Sequence, residues 1–370
     1  MDKKIITAMS GGVDSAVAAF LLREKGYFCK GITLKLFEDA DTGIFDERNC
    51  GSDEDISDAK KVCDRLGMEH EVLNLREKFK KCVMDNFACK YFDGLTPNPC
   101  IECNKHIKFT SILDSAEEQG FTHMATGHYC SIVHDKQSGR YLIKKAIDES
   151  KDQTYVLYGL TQETLSRTLF PLGGMTKAEV RSIAEENGFI NARKKDSQDI
   201  CFIKDGNYRH FLEYHTGKTF DEGDFRLSDG TFVAKHKGIP CYTIGQRKGL
   251  GIAWEHPLYV ISKDAETGIV TVGKEELLFN SRVLVEDVNF IAVAGLDSPM
   301  KATAKLRYHQ GESECVIHPL GDGKVLLEFD KPQRAVTPGQ AAVFYDGEFV
   351  LGGGTIANSQ SLLNIHFAKT

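Results

Sequence analysis

Short apolar runs and longer helical stripes alternate along the first part of the chain. Lys4 to Met9 is a compact apolar run that predicts a buried strand. Ala16 to Lys25 carries apolar residues at helical spacing and stops at Gly26, and Lys30 to Phe37 predicts a second strand. Asp55 to Leu66 predicts a helix ended by Gly67, and Glu71 to Leu75 a strand. Ile107 to Gln119 predicts a further helix, and Thr122 to Thr126 a strand with Gly127 directly after it. Strand and helix in this alternation predict a parallel, doubly wound sheet.

From about Lys151 the pattern turns helical: Leu157 to Leu169, Lys177 to Asn187 with Thr176 as its N-cap, and Asn207 to His215. After Gly217 the apolar runs shorten, and turns such as Asp229-Gly230 and Asp346-Gly347 punctuate them, the pattern of small β-barrels or sandwiches. These changes put boundaries near 205 to 216 and near 280. They give a first domain of residues 1–205, helical from about 151, a small β-rich domain over 206–280 and a β-barrel-like domain over 281–370.

Composition narrows the picture. With 370 residues, 41% of them hydrophobic and 27% charged, the chain is globular and long enough for two or three domains. No apolar run approaches the ~20 residues of a membrane helix, and Ile5 to Met9 is too short for a secretion signal, so a cytoplasmic location without membrane attachment is expected. Eleven cysteines in such a chain are expected to be reduced thiols. The net charge of −7 argues against a protein that coats nucleic acid and leaves room only for local basic surfaces. Candidates are Lys105 with Lys108, Lys144-Lys145, Arg193 to Lys195 and Arg247-Lys248.

Ser10-Gly11-Gly12-Val13-Asp14-Ser15 stands between the first predicted strand and helix, preceded by Ala8 and Met9. Two glycines let backbone approach a ligand, and the N–H groups of a helix start attract anions, so the loop predicts a phosphate cradle with Asp14 a candidate Mg²⁺ ligand. It is not a Walker A loop: no lysine follows the glycines, and Gly217-Lys218-Thr219 has Leu212 where the first glycine belongs. The motif resembles the loop of the ATP pyrophosphatases, which adenylate an oxygen and release pyrophosphate.

A second motif is Thr96-Pro97-Asn98-Pro99-Cys100-Ile101-Glu102-Cys103-Asn104. The prolines delay the helix to about Pro99, so both cysteines fall at its start, near Lys105 and Lys108, where a lowered thiol pKa is expected. Cys201 follows the basic stretch Arg193 to Lys195. Cys29, Cys63, Cys82, Cys89, Cys130, Cys241 and Cys315 read as small core residues.

Taken together the chain resembles, from end to end, the tRNA-specific 2-thiouridylases of the MnmA family. The resemblance rests on Ser10 to Ser15, Thr96 to Asn104 with Ile107-Lys108-Phe109, Ala125 to Tyr129, and Lys151-Asp152-Gln153. It extends through Lys195-Asp196-Ser197, Ile200 to Ile203, Gly245 to Gly251 and Thr337 to Gln340. It implies an α/β fold with an N-terminal doubly wound parallel sheet, adenine nucleotide alpha hydrolase-like with a PP-loop, then a small linking domain and a C-terminal β-barrel. It further implies ATP with Mg²⁺, adenylation of the C2 oxygen of the wobble uridine in tRNAs for Lys, Glu and Gln, and sulfur transfer from a cysteine persulfide. The sulfur would come from a cysteine desulfurase or relay protein, and neither DNA nor membrane is implied.

By the same resemblance Cys201 carries the persulfide and Cys103 assists it. Ala8 to Ser15, Leu34 and Gly127 contact the nucleotide, and Asn98, Pro99 and Cys100 the target base. His128, Lys151, Asp152, Gln153, Arg307, Tyr308 and Gln340 contact tRNA. Cys100 departs from the family, many of whose members have Asp there. With a third thiol, Cys100, Cys103 and Cys201 are also possible ligands of a [4Fe–4S] cluster, an alternative sulfur carrier. The rivals are a small-molecule amidoligase built on the same loop and an inactive tRNA-binding protein.

Overall fold

A computed structural model describes residues 4–43, 51–194, 200–203 and 205–358. β1 (Lys4–Ala8) runs through the glycine turn into α1 (Val13–Glu24), which ends before Gly26 at φ +80°. β2 (Phe28–Lys35), α2 (Gly51–Arg65) and β3 (His70–Asn74) follow. After α3 (Pro99–Cys103), a π-helical turn over Asn104–Lys108 and α4 (Phe109–Glu118) comes β4 (His123–Ala125). A hairpin, β5 (Ser131–His134) and β6 (Tyr141–Lys144), precedes β7 (Thr168–Leu169). The sheet order is β3-β2-β1-β4-β7 with every pairing parallel.

Neighbouring residues on β1 show why helices cover both faces. Successive strand side chains point to opposite sides. Ile5 packs with Val17 of α1 and Val62 of α2, whereas Ile6 packs with Ile112 of α4 and Met124, and both isoleucines are fully buried. Each such burial stabilises the fold by roughly 1.5–3 kcal/mol.

The helix expected over Leu157 to Leu169 does not form. A 3₁₀ turn (Thr154–Val156), a short helix (Gln162–Ser166) capped by Thr161, and β7 take its place. Leu157, Leu160 and Leu165 are buried all the same, because an irregular path lays them against the core that holds Ile6. α5 (Lys177–Glu186) starts at Thr176, which with Glu179 forms a capping box, and α6 (Tyr208–Thr216) starts at Asn207 and stops at Gly217, φ +65°. Helical structure over Arg76–Phe92, not expected from the pattern, buries Phe79, Val83, Phe87 and Tyr91 at four-residue spacing.

The middle sheet consists of β8 (Gly223–Arg226), β9 (Phe232–His236), β10 (Tyr259–Asp264) and β11 (Ile269–Gly273), in the order β10-β11-β8-β9. Six further strands follow: β12 (Phe279–Phe290), β13 (Met300–Lys305), β14 (Ser313–Gly321), β15 (Lys324–Arg334), β16 (Ala341–Asp346) and β17 (Phe349–Ile356). They close into an antiparallel barrel through the β12–β17 pairing. The β5–β6 hairpin from the first domain joins this sheet at Phe349 and Lys144, and Arg140 of its turn donates to the carbonyls of Phe290 and Ile291.

Candidate active site

The strand order reverses between β1 and β4, and the loops leaving their carboxyl ends meet there, as ligand-binding loops of such sheets do. Gly11 has φ +73°, and a Cβ on it would stand 2.4 Å from the Asp55 carbonyl oxygen. A Cβ on Gly127 would stand 2.7 Å from the Asp14 carbonyl carbon, so both glycines are demanded by close backbone approach. Within the loop the Ser15 hydroxyl donates to the Gly12 carbonyl and accepts from the Ser10 amide. No side chain caps the start of α1, so the amides of its first turn remain available to an anion, and the loop fits a phosphate chain.

Asp14, a candidate magnesium ligand, is tied into the fold. Its Oδ1 accepts from Lys177 Nζ at 2.7 Å and from the Tyr129 hydroxyl at 2.8 Å, and its Oδ2 from Lys177 at 2.8 Å. The carboxylate is thus committed to holding α1, α5 and the Gly127 loop together. Asn191, buried, donates to the Gly11 carbonyl, and Lys194 bridges Asp55 and Asp58 of α2. Lys177, Tyr129 and Asn191 are supports that motif reading missed; only Tyr129 stood inside a motif, directly after Gly127-His128.

Asn98 caps α3, its Oδ1 accepting from the Cys100 amide at 3.1 Å, with Pro99 in the first turn. Cys103 is buried in the cluster that also contains Phe79, Phe87, Phe202 and Ile203, so the Cys201 turn and the Cys103 helix share one core. Cys201 is solvent-accessible but set in a crowded recess, where charge on Cys103, Cys100 and Lys108 reaches its thiol. Lys108 also acts on Cys100, Cys103 and His128, which places this cation at the centre of the group.

The expected lowering of the thiol pKa is reversed. Burial pushes Cys103 up to about 11 and Cys201 up to about 12, and Lys108 offsets this only in part. Cys100 is raised for the same reason. The helix start was expected to favour thiolate, but removal of water outweighs it. Nothing in the arrangement supports the cluster alternative: among the described residues no three His, Cys, Asp or Glu side chains are grouped to hold a metal ion.

Residues expected to meet tRNA or nucleotide fall into two kinds. Leu34, on β2, is partly buried against the core, and His128 stacks on Phe109 with Nδ1 2.7 Å from Thr126 Oγ1; burial drives its pKa well below the usual range, leaving a neutral ring. Lys151 lies beside Asp152, whose carboxylate accepts from the Ala146 amide and the Thr154 hydroxyl, while Gln153 accepts from the Tyr129 amide. Tyr308 donates to the Asp152 carbonyl, feels charge on Cys100 and therefore stands near that thiol. Arg307 donates to the Ala335 carbonyl and Thr337, and Gln340 to the Thr96 carbonyl at 2.7 Å. With the bond from the Thr96 amide to the Pro338 carbonyl at 3.0 Å, the barrel loop braces the segment leading to Asn98.

Two expected basic clusters are largely neutralised internally: Lys144 pairs with Glu348 and Lys145 with Glu312, while Arg193 pairs with Glu185 and Lys194 with Asp55. Lys195, Asp196 and Ser197 lie outside the described residues.

A glycine loop that fits phosphate at the switch point of this parallel sheet defines a nucleotide-binding protein of the HUP-domain class. The tRNA methyl transferase HUP domain family matches residues 3–205, the tRNA methyl transferase PRC-barrel domain 209–274, and the Aminomethyltransferase beta-barrel domain 280–356. The tRNA-specific 2-thiouridylase MnmA of Clostridioides difficile is 46% identical over 359 residues, 97% of this chain and 99% of that one. That of Acetivibrio thermocellus is 47% identical over 355 residues, 96% of this chain and 99% of its own. The chain belongs to the MnmA family of tRNA-specific 2-thiouridylases. Among the described residues no helix is long and apolar enough to cross a membrane.

Proposed function

We infer that this protein replaces the C2 oxygen of a uridine in tRNA with sulfur, the wobble uridine of tRNAs for Lys, Glu and Gln being the substrate. The observation that carries the reading is the convergence of Cys103 and Cys201 beside the Asn98-capped helix start, with the glycine loop in the same domain. Bound ATP, as its Mg²⁺ complex, supplies the adenylyl group that makes the C2 oxygen a leaving group. The first-turn amides of α1 hold its phosphates, Gly127 lets the loops close on it, and Asp14 acts through Lys177 and Tyr129 to fix the loop.

The two thiols answer an electron requirement. Sulfur in a persulfide is more oxidised than sulfur in a thiouridine, so its transfer needs two electrons. Cys201 takes a sulfur atom from a cysteine desulfurase or relay protein and presents its terminal sulfur to C2. Once that carbon–sulfur bond has formed and AMP has left, Cys103 attacks the Cys201 Sγ. The resulting disulfide releases the thiouridine, and a dithiol reductant resets the pair. Asn98, Pro99 and Cys100 face the flipped base, and the neutral His128 helps position it.

The test is a single-turnover assay with unmodified tRNA, ATP and a persulfide donor. Cys201→Ser is expected to abolish thiouridine formation while pyrophosphate release from the adenylation step continues. Cys103→Ser should accumulate tRNA joined to Cys201 through a disulfide. Full thiolation by Cys201→Ser would sink the reading.

A further inference from the structure

The chain has one tryptophan, and it is not in a core: Trp254 is 39% exposed on the loop that leads into β10. An indole has more to gain from burial than almost any side chain, and exposed ones mark places where something else covers them. The loop itself is not loose. The Gly245 amide donates to the Val260 carbonyl at 2.8 Å, the Val260 amide to the Gln246 carbonyl at 3.0 Å, and Gln246 Nε2 to the Lys248 carbonyl at 3.0 Å. Leu250 and Leu258 are buried in the middle domain's core. The backbone is therefore pinned on both sides of an indole that it holds outward.

Beside the indole lies a recess of about 420 Å³, walled by Arg247, Leu250, Ile252, Trp254, Glu255 and His256. That volume falls within the roughly 300–1,000 Å³ typical of small-ligand sites. Arg247 and Lys248 are exposed, and among the described residues neither has a recorded carboxylate partner, in contrast to Lys144, Lys145, Arg193 and Lys194. The one acid on the wall, Glu255, pairs with His256 at 3.2 Å. The base of the loop also touches the barrel loop that braces the catalytic segment: a Cβ on Gly245 would stand 2.8 Å from the Ala335 Cβ, and Pro338 and Gln340 bond Thr96.

We propose that this recess receives an unpaired nucleotide of the tRNA, with its base stacked on the Trp254 indole and its phosphate met by Arg247 and Lys248. A flat aromatic face with Arg247 on the wall and Lys248 next to it in the chain, neither paired with a carboxylate among the described residues, is the combination that single-stranded nucleic acid recognises. The assignment rests on the tRNA reading above and adds a contact separate from the residues assigned to the target base. Stacking is insensitive to base identity, so the recess grips and orients the tRNA without selecting its sequence.

Because the chain holds a single tryptophan, the emission of the wild-type protein reports on this recess alone. Titration with unmodified tRNA is expected to quench that emission along the same curve as binding measured by filter retention. A fully base-paired RNA duplex should leave it nearly unchanged. Trp254→Ala, checked for folding by circular dichroism, should raise the Kd for tRNA about tenfold, and Trp254→Phe should restore most of the affinity. The proposal is overturned if tRNA binds and is thiolated while the emission stays constant, or if the duplex quenches equally; the thiolation reading survives either result. Quenching by a sulfur-donor protein and not by tRNA also overturns it and assigns the recess to a protein partner. A protein that neither binds nor thiolates tRNA loses both.

Discussion

A thiol crowded by protein atoms keeps its proton well beyond neutral pH. Cys201, pushed up to about 12, and Cys103, pushed up to about 11, should react sluggishly with iodoacetamide near neutral pH. Mass spectrometry across a pH series should show alkylation of Cys201 at least about tenfold slower than that of free cysteine at about pH 8, still climbing past about pH 9. A plateau below that point would contradict the burial argument. The sign for stability follows: between 9.0 and about 12 the native state keeps a Cys201 proton that the unfolded chain has lost, so this thiol lowers stability as pH rises. That Cys100 and Cys103 stand at a helix start was legible in the Thr96 to Asn104 motif. The burial of Cys103 was not, because the rings packed around it come from Phe79 and Phe87 and from Phe202, far along the chain. Lys177 gave no sign of its grip on Asp14, since 163 residues separate them and only the fold joins them.

At the scale of elements, the turn into α1 and the loop after β4 work as one part. Gly127→Ala would force a methyl group to within 2.7 Å of Asp14 and 2.8 Å of the Ser15 amide, both backbone positions that cannot swing aside. The expected cost is about 1–3 kcal/mol of stability with a rise in the Kd for ATP, read by thermal melting and by calorimetric titration. Unchanged ATP affinity would mean that the two loops do not cooperate. The sequence made these elements readable where local chemistry decides them: the glycine stops at Gly26 and Gly67, the Thr176 cap, and the β1 run. It failed over Leu157 to Leu169, where apolar residues at helical spacing serve a packed but irregular path. It also passed over the β5–β6 hairpin, whose pairing with β17 lies far along the chain.

For the whole molecule, a net charge of −7 makes tRNA capture a matter of where cations remain unpaired. Each phosphate contact adds about 0.7–0.9 to the salt slope of the binding constant. Arg247→Gln with Lys248→Gln should therefore reduce that slope by about 1–2 in filter-binding assays across salt concentrations. Neutralising Lys144 and Lys145 should change it far less, because Glu348 and Glu312 already hold them. An equal change from both double variants would show that internal pairing does not decide which lysines meet RNA.

The brace between Thr96 and the barrel loop has a temporal side. During synthesis the glycine loop, Cys103 and Cys201 emerge before Pro338 and Gln340 exist. The segment leading to Asn98 therefore acquires its backing only once the barrel loop has been made. The order of residues along the gene thus leaves Thr96 without these two bonds until the barrel loop is in place.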